Sequence, residues 1–401
     1  DLKSSFKLAI PKKEKNSLLQ TNHRGITIIP ILCKVIELII MGPNIELQEV
    51  LPVNELQFGF TPNNSPDMAS LILTESTAES KITNNPLLVT SQDAKKAFDV
   101  VSHFKLKQKL FHNSKLSRPV WAIIDDLYVG GSEVFSFKGK YSRPYSILQG
   151  VKQGSHLSPP LYKSYTHKLL KLLQMHKLGL SIGNIYLGTP TVADDVTLLS
   201  NRNNQMQAMI DVCCWYSEDH DYVIHPDKTV GAQMHLPKKD ETEFNMTLHD
   251  LPLKKVDSFV HLGLEWIAGK SFPNIDKCIS VARRPSYSLF GAGLHGYNGL
   301  DPAAAIRVTN LYVTPKLLHG LGACVVPKSE VAKLESFYRK TLRMLQGFSQ
   351  NTATEAIYIF AGAVTCEAML HYRMFSLFGQ ISRLQYDHPL RRLALRQVIL
   401  R

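Results

Sequence analysis

Two adjacent aspartate pairs, Asp125-Asp126 and Asp194-Asp195, have residue types and spacing that could do chemistry. Such a pair is most often a solvated corner, so the surrounding periodicity has to separate them. The first sits among Val120, Ile123, Ile124, Leu127 and Tyr128, whose helical spacing turns both carboxylates to solvent. The second lies in Thr191-Val-Ala-Asp-Asp-Val-Thr-Leu-Leu199, where β-favouring residues on both sides predict the tip of a strand-turn-strand. Carboxylates held close raise each other's pKa, and a divalent cation removes that conflict. Mg2+ takes hard oxygen ligands, usually one or two carboxylates plus substrate phosphates. A third carboxylate, Asp93, ends the extended-looking run that starts at Leu87-Leu88-Val89. Asp93, Asp194 and Asp195 together point to phosphoryl transfer in which two metal ions clamp the attacking and leaving oxygens.

These carboxylates need elements to hold them. Ser102 is placed to cap a helix with Phe104, Leu106, Leu110 and Phe111 on its apolar side. The helix around Val120 stops at Gly130-Gly131. Glu133 to Ile147 alternates around Lys138-Gly139-Lys140 and reads as a hairpin. After Gly150-Val-Lys-Gln-Gly-Ser-His-Leu157, Ser158 is a good N-cap and Pro159 suits a first helical position, so a helix is expected from Pro159 to Leu173. Ile185 to Leu199 reads as two strands around a turn, residues 253–266 as mostly extended, and the chain after 275 as helical. Strands with flanking helices and then a helical third imply an α+β fold, or α/β with an appended helical domain.

A chain of 401 residues suggests two or three domains, and 44% apolar content supports real cores. With 20% charged residues it is no disordered basic tail, and collagen-like and mucin-like readings are excluded. The longest apolar run, Ile26 to Gly42, is broken by Lys34 and Glu37, so no transmembrane helix is expected. The sequence opens on Asp1 without a signal-peptide pattern, which reads as a piece of a longer chain, intracellular, in nucleus and cytoplasm. Six cysteines without a C-x-x-C pair fit buried reduced thiols and build no zinc site.

The formal charge of +12 is uneven: residues 267–401 hold 17 Lys+Arg against 7 Asp+Glu, and residues 1–266 hold 29 against 27. Val331, Leu334, Tyr338, Leu342 and Leu345 recur at helical spacing, with Lys333, Lys340 and Arg343 on another side. A cationic helix face suits a phosphate backbone through counterion release. A merely solvated face and an anionic membrane surface are the alternatives, though no aromatic-rich basic amphipathic segment stands out.

The order of motifs resembles the reverse transcriptase of non-LTR (LINE-type) retrotransposons. Asp93-Ala-Lys-Lys-Ala-Phe-Asp99-Val-Val is similar to its first palm motif, Gly150-Val-Lys-Gln-Gly-Ser-His-Leu-Ser-Pro159 to its second, and Ala193-Asp194-Asp195 to its third. His225-Pro-Asp-Lys228-Thr229 and His261-Leu-Gly263 resemble the next two, and Asn22-His-Arg-Gly-Ile-Thr27, Lys34-Val-Ile-Glu37 and Gln57-Phe-Gly-Phe60 precede them in family order. Val192, Thr61, Asp221 and His23 depart from the pattern: an aromatic, a phosphate-binding Arg, a Gly and a Tyr are usual there.

The resemblance implies a right-hand polymerase of α+β class, with fingers over 1–85, a palm with an antiparallel sheet over 86–266, and a basic helical thumb with a C-terminal extension over 267–401. It implies an RNA-directed DNA polymerase using an RNA template, a DNA primer, dNTPs and two Mg2+ ions. Asp93, Asp194 and Asp195 would hold the metal, with the Ala94 carbonyl in reach. Phe98 would be the ribose gate, Gln153 and Gly154 would approach nucleotide and template, and Arg24 the triphosphate. Lys228 would protonate or neutralise pyrophosphate, Gly263 would lie beside the primer terminus, and Lys333, Lys340 and Arg343 would grip the duplex. Two other readings stay open: a catalytically decayed copy that only binds nucleic acid, and another Mg2+-dependent phosphoryl-transfer enzyme such as a nuclease.

Overall fold

The computed structural model describes residues 2–11, 22–42, 47–113, 115–237, 244–297 and 299–400. Strands β1 (Ser4–Pro11) and β2 (His23–Ile28) are followed by helices α1 (Ile31–Met41) and α2 (Pro66–Thr83). Strand β3 (Leu87–Asp93) leads to helices α3 (His103–Asn113) and α4 (Arg118–Leu127), strand β4 (Ser132–Phe137) and helix α5 (Ser158–Met175). Then come β5 (Thr191–Val192), β6 (Asp195–Ser200), α6 (Asn203–Asp219), β7 (Val230–His235), β8 (Ser258–His261) and β9 (Leu264–Ile267). Beyond residue 275 every regular element among the described residues is a helix, chiefly α7 (Ile275–Gly291), α8 (Pro302–Tyr312), α9 (Lys328–Leu345), α10 (Thr354–Ala361), α11 (Cys366–Ser382) and α12 (Pro389–Leu400).

Two sheets organise the first two thirds. In one, β2 pairs antiparallel with β1, and β1 pairs parallel with β4, which also carries two two-residue strands. The other has the order β7-β3-β6-β5, with every pair antiparallel. Its strands place apolar residues on both faces because both faces are covered. Leu87, Val89 and Leu199 pack with Met68 and Ile72 of α2. Leu88 and Leu198 pack on the other face with Leu169 and Leu173 of α5 and Met206, Met209 and Ile210 of α6. Each fully buried leucine contributes about 1.5–3 kcal/mol. The cluster under Leu87 continues without interruption through Trp266 into Ile279, Leu334, Tyr338 and Leu342 of the helical third.

A third cluster joins α1, α3, α4 and α5 through Ile40, Leu106, Leu110, Val120, Ile124 and Leu161. On α3, however, Phe104 and Phe111 are exposed, and Phe111 packs edge-on against Trp121 at 5.5 Å. The expected hairpin turns at Lys138-Gly139, both with positive φ, between the paired residues Phe137 and Lys140. Helix α5 starts one residue earlier than expected, with Leu157 at the cap; the Ser158 hydroxyl instead donates to the Lys152 carbonyl at 2.8 Å. Asp125 and Asp126 lie on the polar side of α4, paired with Lys107 at 2.7 Å and Lys3 at 2.8 Å. All six cysteines are free, five of them buried. Among the described residues no helix is long and apolar enough to cross a membrane.

Candidate active site

Strands β3 and β6 run antiparallel with Asp93 directly opposite Asp195. Directly opposed residues project to the same face of a sheet. Asp195 is also paired with Val192 across a two-residue turn, Ala193-Asp194, so Asp194 sits at the tip beside Asp93. Ala193 adopts a left-handed φ of 58° to make that turn. All three carboxylates are thus gathered at one end of the sheet, on a strand end and on the hairpin facing it. Burial pushes the Asp194 carboxyl up, and repulsion from Asp93 adds to it, while Arg24 and Lys228 oppose the rise. Asp195 reaches solvent but is crowded by protein atoms; that burial, then Asp194 and Asp93, lift it to about 6. Lys228 donates to Asp93 Oδ2.

The loops around this cluster are fixed by backbone contacts. His225 N–H donates to the Asp93 carbonyl at 2.8 Å and Lys95 N–H to Val223 at 2.9 Å, while Ala94 bridges Ile224. These bonds tie the Lys228 loop to the end of β3. The Gly150–Leu157 loop is held to the other side of the same segment: Val151 N–H donates to the Phe98 carbonyl at 2.7 Å and Gly150 N–H to Val101 at 2.8 Å. Thr27 N–H donates to the Gln153 carbonyl at 2.7 Å. Gly154, at φ 129°, leaves no room for a side chain, because a Cβ would stand 2.5 Å from the Thr27 oxygen. Buried Glu37 of α1 accepts from Ser155 Oγ at 2.6 Å and His156 N–H at 3.0 Å. Phe98 is half-buried, stacked on Tyr162 with centroids 5.0 Å apart and edge-on to Phe60 at 6.4 Å.

The structure therefore brings Asp93, Asp194, Asp195, Ala94, Lys228 and Arg24 together, with Phe98, Gln153 and Gly154 on segments bonded directly to them. Thr61 closes its own loop, donating to the Gln57 carbonyl at 2.9 Å, and buried Lys163 lies against it at 3.3 Å. Sequence reasoning gave no role to Glu37, Gln57, Tyr162 or Lys163. Glu37 and Gln57 were visible only as members of motifs, and Tyr162 and Lys163 carried no signal of their own.

Gly263 lies apart, at the tip of the β8–β9 hairpin. Leu262 and Gly263 both have positive φ, 52° and 81°, the geometry of a type I′ turn. His319 Nε2 meets the Leu262 carbonyl at 3.0 Å, tying this hairpin to the helical third. Further out, α7 and α9 line a groove of about 300 Å³ carrying Arg283, Tyr287, Phe290, Lys333, Phe337 and Lys340. Lys333 is already neutralised by Glu330 at 3.0 Å and Asp276 at 3.4 Å. Arg343 is not part of the groove lining. Arg283 and Tyr287, on a separate helix, were not singled out from the sequence.

An antiparallel four-stranded sheet with carboxylates on a central strand end and on the adjoining hairpin tip, together with a mixed sheet and a helical bundle, is a right-hand polymerase. The apo telomerase of Candida tropicalis shares this fold with a TM-score of 0.50 at 12% identity, over 94% of this chain and 62% of its own. More narrowly, residues 10–265 match the family described as reverse transcriptase (RNA-dependent DNA polymerase), and the chain belongs to it. Within that family its sequence is similar to polyproteins of non-LTR retrotransposons. A retrovirus-related Pol polyprotein from the type-1 retrotransposable element R2 of Popillia japonica is 21% identical over 286 residues, covering 67% of this chain and 44% of that protein. The RNA-directed DNA polymerase from mobile element jockey of Drosophila funebris is 28% identical over 355 residues, covering 85% of this chain and 37% of that protein. The chain thus spans less than half the length of these relatives.

Proposed function

We propose that this chain is an RNA-directed DNA polymerase that extends a DNA primer on an RNA template with dNTPs. The observation that carries the reading is the register that sets Asp93 opposite Asp195, with Asp194 at the adjoining turn. In this reading residues 1–85 are fingers, 86–266 the palm with inserted fingers elements, and 267–401 the thumb and its extension.

The donor set fits a divalent cation. Burial pushes Asp194 and Asp195 toward neutrality, with the charge of Asp93 adding at Asp194 and the charges of Asp194 and Asp93 adding at Asp195, a conflict that a cation relieves. No ready-made cage of three or more His, Cys, Asp or Glu side chains exists among the described residues. Mg2+ sites in polymerases take few protein carboxylates and leave the remaining positions to substrate phosphates and water. Asp93, Asp194, Asp195 and the Ala94 carbonyl would hold it. Two bound Mg2+ ions would supply Lewis-acid stabilisation to the attacking and leaving oxygens.

The chain's own residues do the rest. The primer 3′-hydroxyl attacks the α-phosphate of the incoming dNTP, and pyrophosphate leaves. Lys228 stands where it can neutralise or protonate that leaving group, and Arg24 adds positive charge for the triphosphate. The Phe98 ring, backed by Tyr162, forms the floor under the sugar. Gly154 lets the backbone approach nucleotide and template closely. The Gly263 hairpin lies beside the primer terminus, and the α7–α9 groove takes the duplex backbone.

Primer extension on poly(rA)/oligo(dT) with dTTP and Mg2+ tests the reading. Template-dependent incorporation supports it. Binding of the duplex without incorporation indicates a decayed copy, and degradation of labelled nucleic acid without dNTPs indicates a nuclease.

Two further outcomes are expected. In metal-free protein the Asp195 pKa rises from its ordinary 3.8 to about 6 on folding. Between those values the folded chain holds a proton that the unfolded chain has released, so stability falls as pH rises through that window. Mg2+ should therefore raise the melting temperature at about pH 7.5 and leave it unchanged at about pH 4.5. An Mg2+ effect retained in Asp194→Asn/Asp195→Asn would locate the cation elsewhere. In the groove, Arg283→Glu with Lys340→Glu should weaken RNA–DNA duplex binding and flatten its salt dependence by about 0.9 per lost phosphate contact. Lys333→Glu should do less, because Asp276 and Glu330 already neutralise it. Fluorescence anisotropy across a KCl series reads both, and an unchanged slope in the double variant would return α9 to a solvated face.

A further inference from the structure

Gln57 lies 136 residues from the hairpin that carries Asp194, yet its buried side chain satisfies both peptide groups of Ala193. Its Oε1 accepts from Ala193 N–H at 2.8 Å, and its Nε2 donates to the Ala193 carbonyl at 3.1 Å. The same Oε1 accepts from Gly59 N–H at 3.0 Å, which locks the side chain to its own loop. Gln57 is 1% exposed, so water cannot replace it. Its backbone runs alongside β5: Phe58 N–H donates to Thr191 and Thr191 N–H to Leu56, each at 2.8 Å. Gly59 packs so closely that a Cβ there would stand 2.3 Å from the Ala193 nitrogen.

Ala193 needs this support. It is a non-glycine residue in the left-handed region, a conformation costing of order 1–2 kcal/mol that persists only when its surroundings impose it. Its N–H and carbonyl flank the residue whose φ aims Asp194. Without the Gln57 amide both groups would lose these partners, and the turn could relax to a conformation that moves the carboxylates off Asp93.

We infer that Gln57 is a positioning residue for the reaction: it holds the Ala193 peptide so that Asp194 and Asp195 stay in register with Asp93. The inference rests on the proposed role of Asp194 and adds a residue that acts through it. From the other end of the loop, Lys163 Nζ donates to the Phe60 carbonyl at 2.6 Å, and the Phe60 ring meets Phe98. The Gln57–Thr61 loop is therefore anchored both to the carboxylate turn and beside the proposed nucleotide pocket.

The test compares wild type, Gln57→Met, Gln57→Glu and Asp194→Asn by primer extension, Mn2+ binding followed by electron paramagnetic resonance, and thermal melting. Gln57→Met should lower kcat by ~10–100-fold with KM for dTTP within ~2-fold, because small misplacement of reacting groups costs about that much. Its Mn2+ affinity should fall in parallel. Gln57→Glu restores the amide's pattern only when protonated, since an ionised carboxylate cannot donate to the Ala193 carbonyl. Its activity relative to wild type should therefore climb as pH is lowered from about 8 to 6. The role is overturned if folded Gln57→Met keeps wild-type kcat and Mn2+ affinity. It is likewise overturned if activity lost in both variants returns fully on cooling below their melting temperatures, the mark of a merely structural residue. If Asp194→Asn keeps full Mn2+ binding and incorporation, the catalytic reading of the turn fails instead.

Discussion

Asp194→Asn is expected to reduce dNTP incorporation by at least ~10³-fold while leaving the fold and duplex binding intact. The magnitude follows from what the carboxylate would supply. Metal stabilisation of developing charge is worth several kcal/mol, and each 1.36 kcal/mol is a factor of ten in rate. Asparagine keeps the shape and one acceptor oxygen but removes the charge that holds the cation. The substitution should not unfold the protein. Burial and Asp93 already raise the Asp194 carboxyl, so a neutral side chain removes repulsion at the tip of the hairpin. The expected signature is thus a dead enzyme whose melting temperature in the absence of metal equals or exceeds that of wild type. Primer extension, duplex anisotropy and melting of the same preparation read the three parts together. Incorporation within tenfold of wild type would remove Asp194 from the chemistry. A large fall in melting temperature would make the carboxylate a structural group.

The carboxylate site was legible because its chemistry is local. Asp194-Asp195 between β-favouring residues predicts a hairpin tip, and the tip is there. Leu87-Leu88-Val89 predicts a strand because consecutive apolar residues suit a strand covered on both faces, and its two neighbouring clusters explain the pattern. What was not legible depended on distant partners. The charge on Lys333 stood alone in the helical pattern, but Asp276, on another helix, pairs with it at 3.4 Å. Phe104 and Phe111 fit a helical period, yet α3 buries only Leu106 and Leu110, since the neighbouring helices cover a narrower stripe than the pattern allowed. Gln57 could be noted as part of a motif but not understood, because its hydrogen bonds reach residues far along the chain. Periodicity finds elements; only tertiary contact tells which polar side chain disciplines which turn.

The second large effect concerns the sugar. Phe98→Val is expected to raise incorporation of rNTP relative to dNTP by ~10–100-fold. The ring lies five residues after Asp93, stacked flat on Tyr162 at 5.0 Å and braced edge-on by Phe60 at 6.4 Å. Val151 N–H binds the Phe98 carbonyl at 2.7 Å, so the backbone beneath the ring is fixed as well. A ring held on two sides cannot swing away from an added 2′-hydroxyl, whereas valine leaves space for it. The ceiling comes from the kind of discrimination involved: a steric, apolar wall rejects an added hydroxyl by only about 10², unlike a polar site that recognises a missing one. The effect should appear as a lower KM for rNTP with kcat for dNTP little changed, since an apolar ring supplies neither a metal ligand nor a proton. Tyr162→Phe should leave the ratio alone, because it keeps the stack. Single-nucleotide extension with paired dTTP and UTP titrations measures the ratio. An unchanged ratio in a folded, active Phe98→Val protein would make Phe98 a core aromatic and leave sugar selection to another group in the pocket.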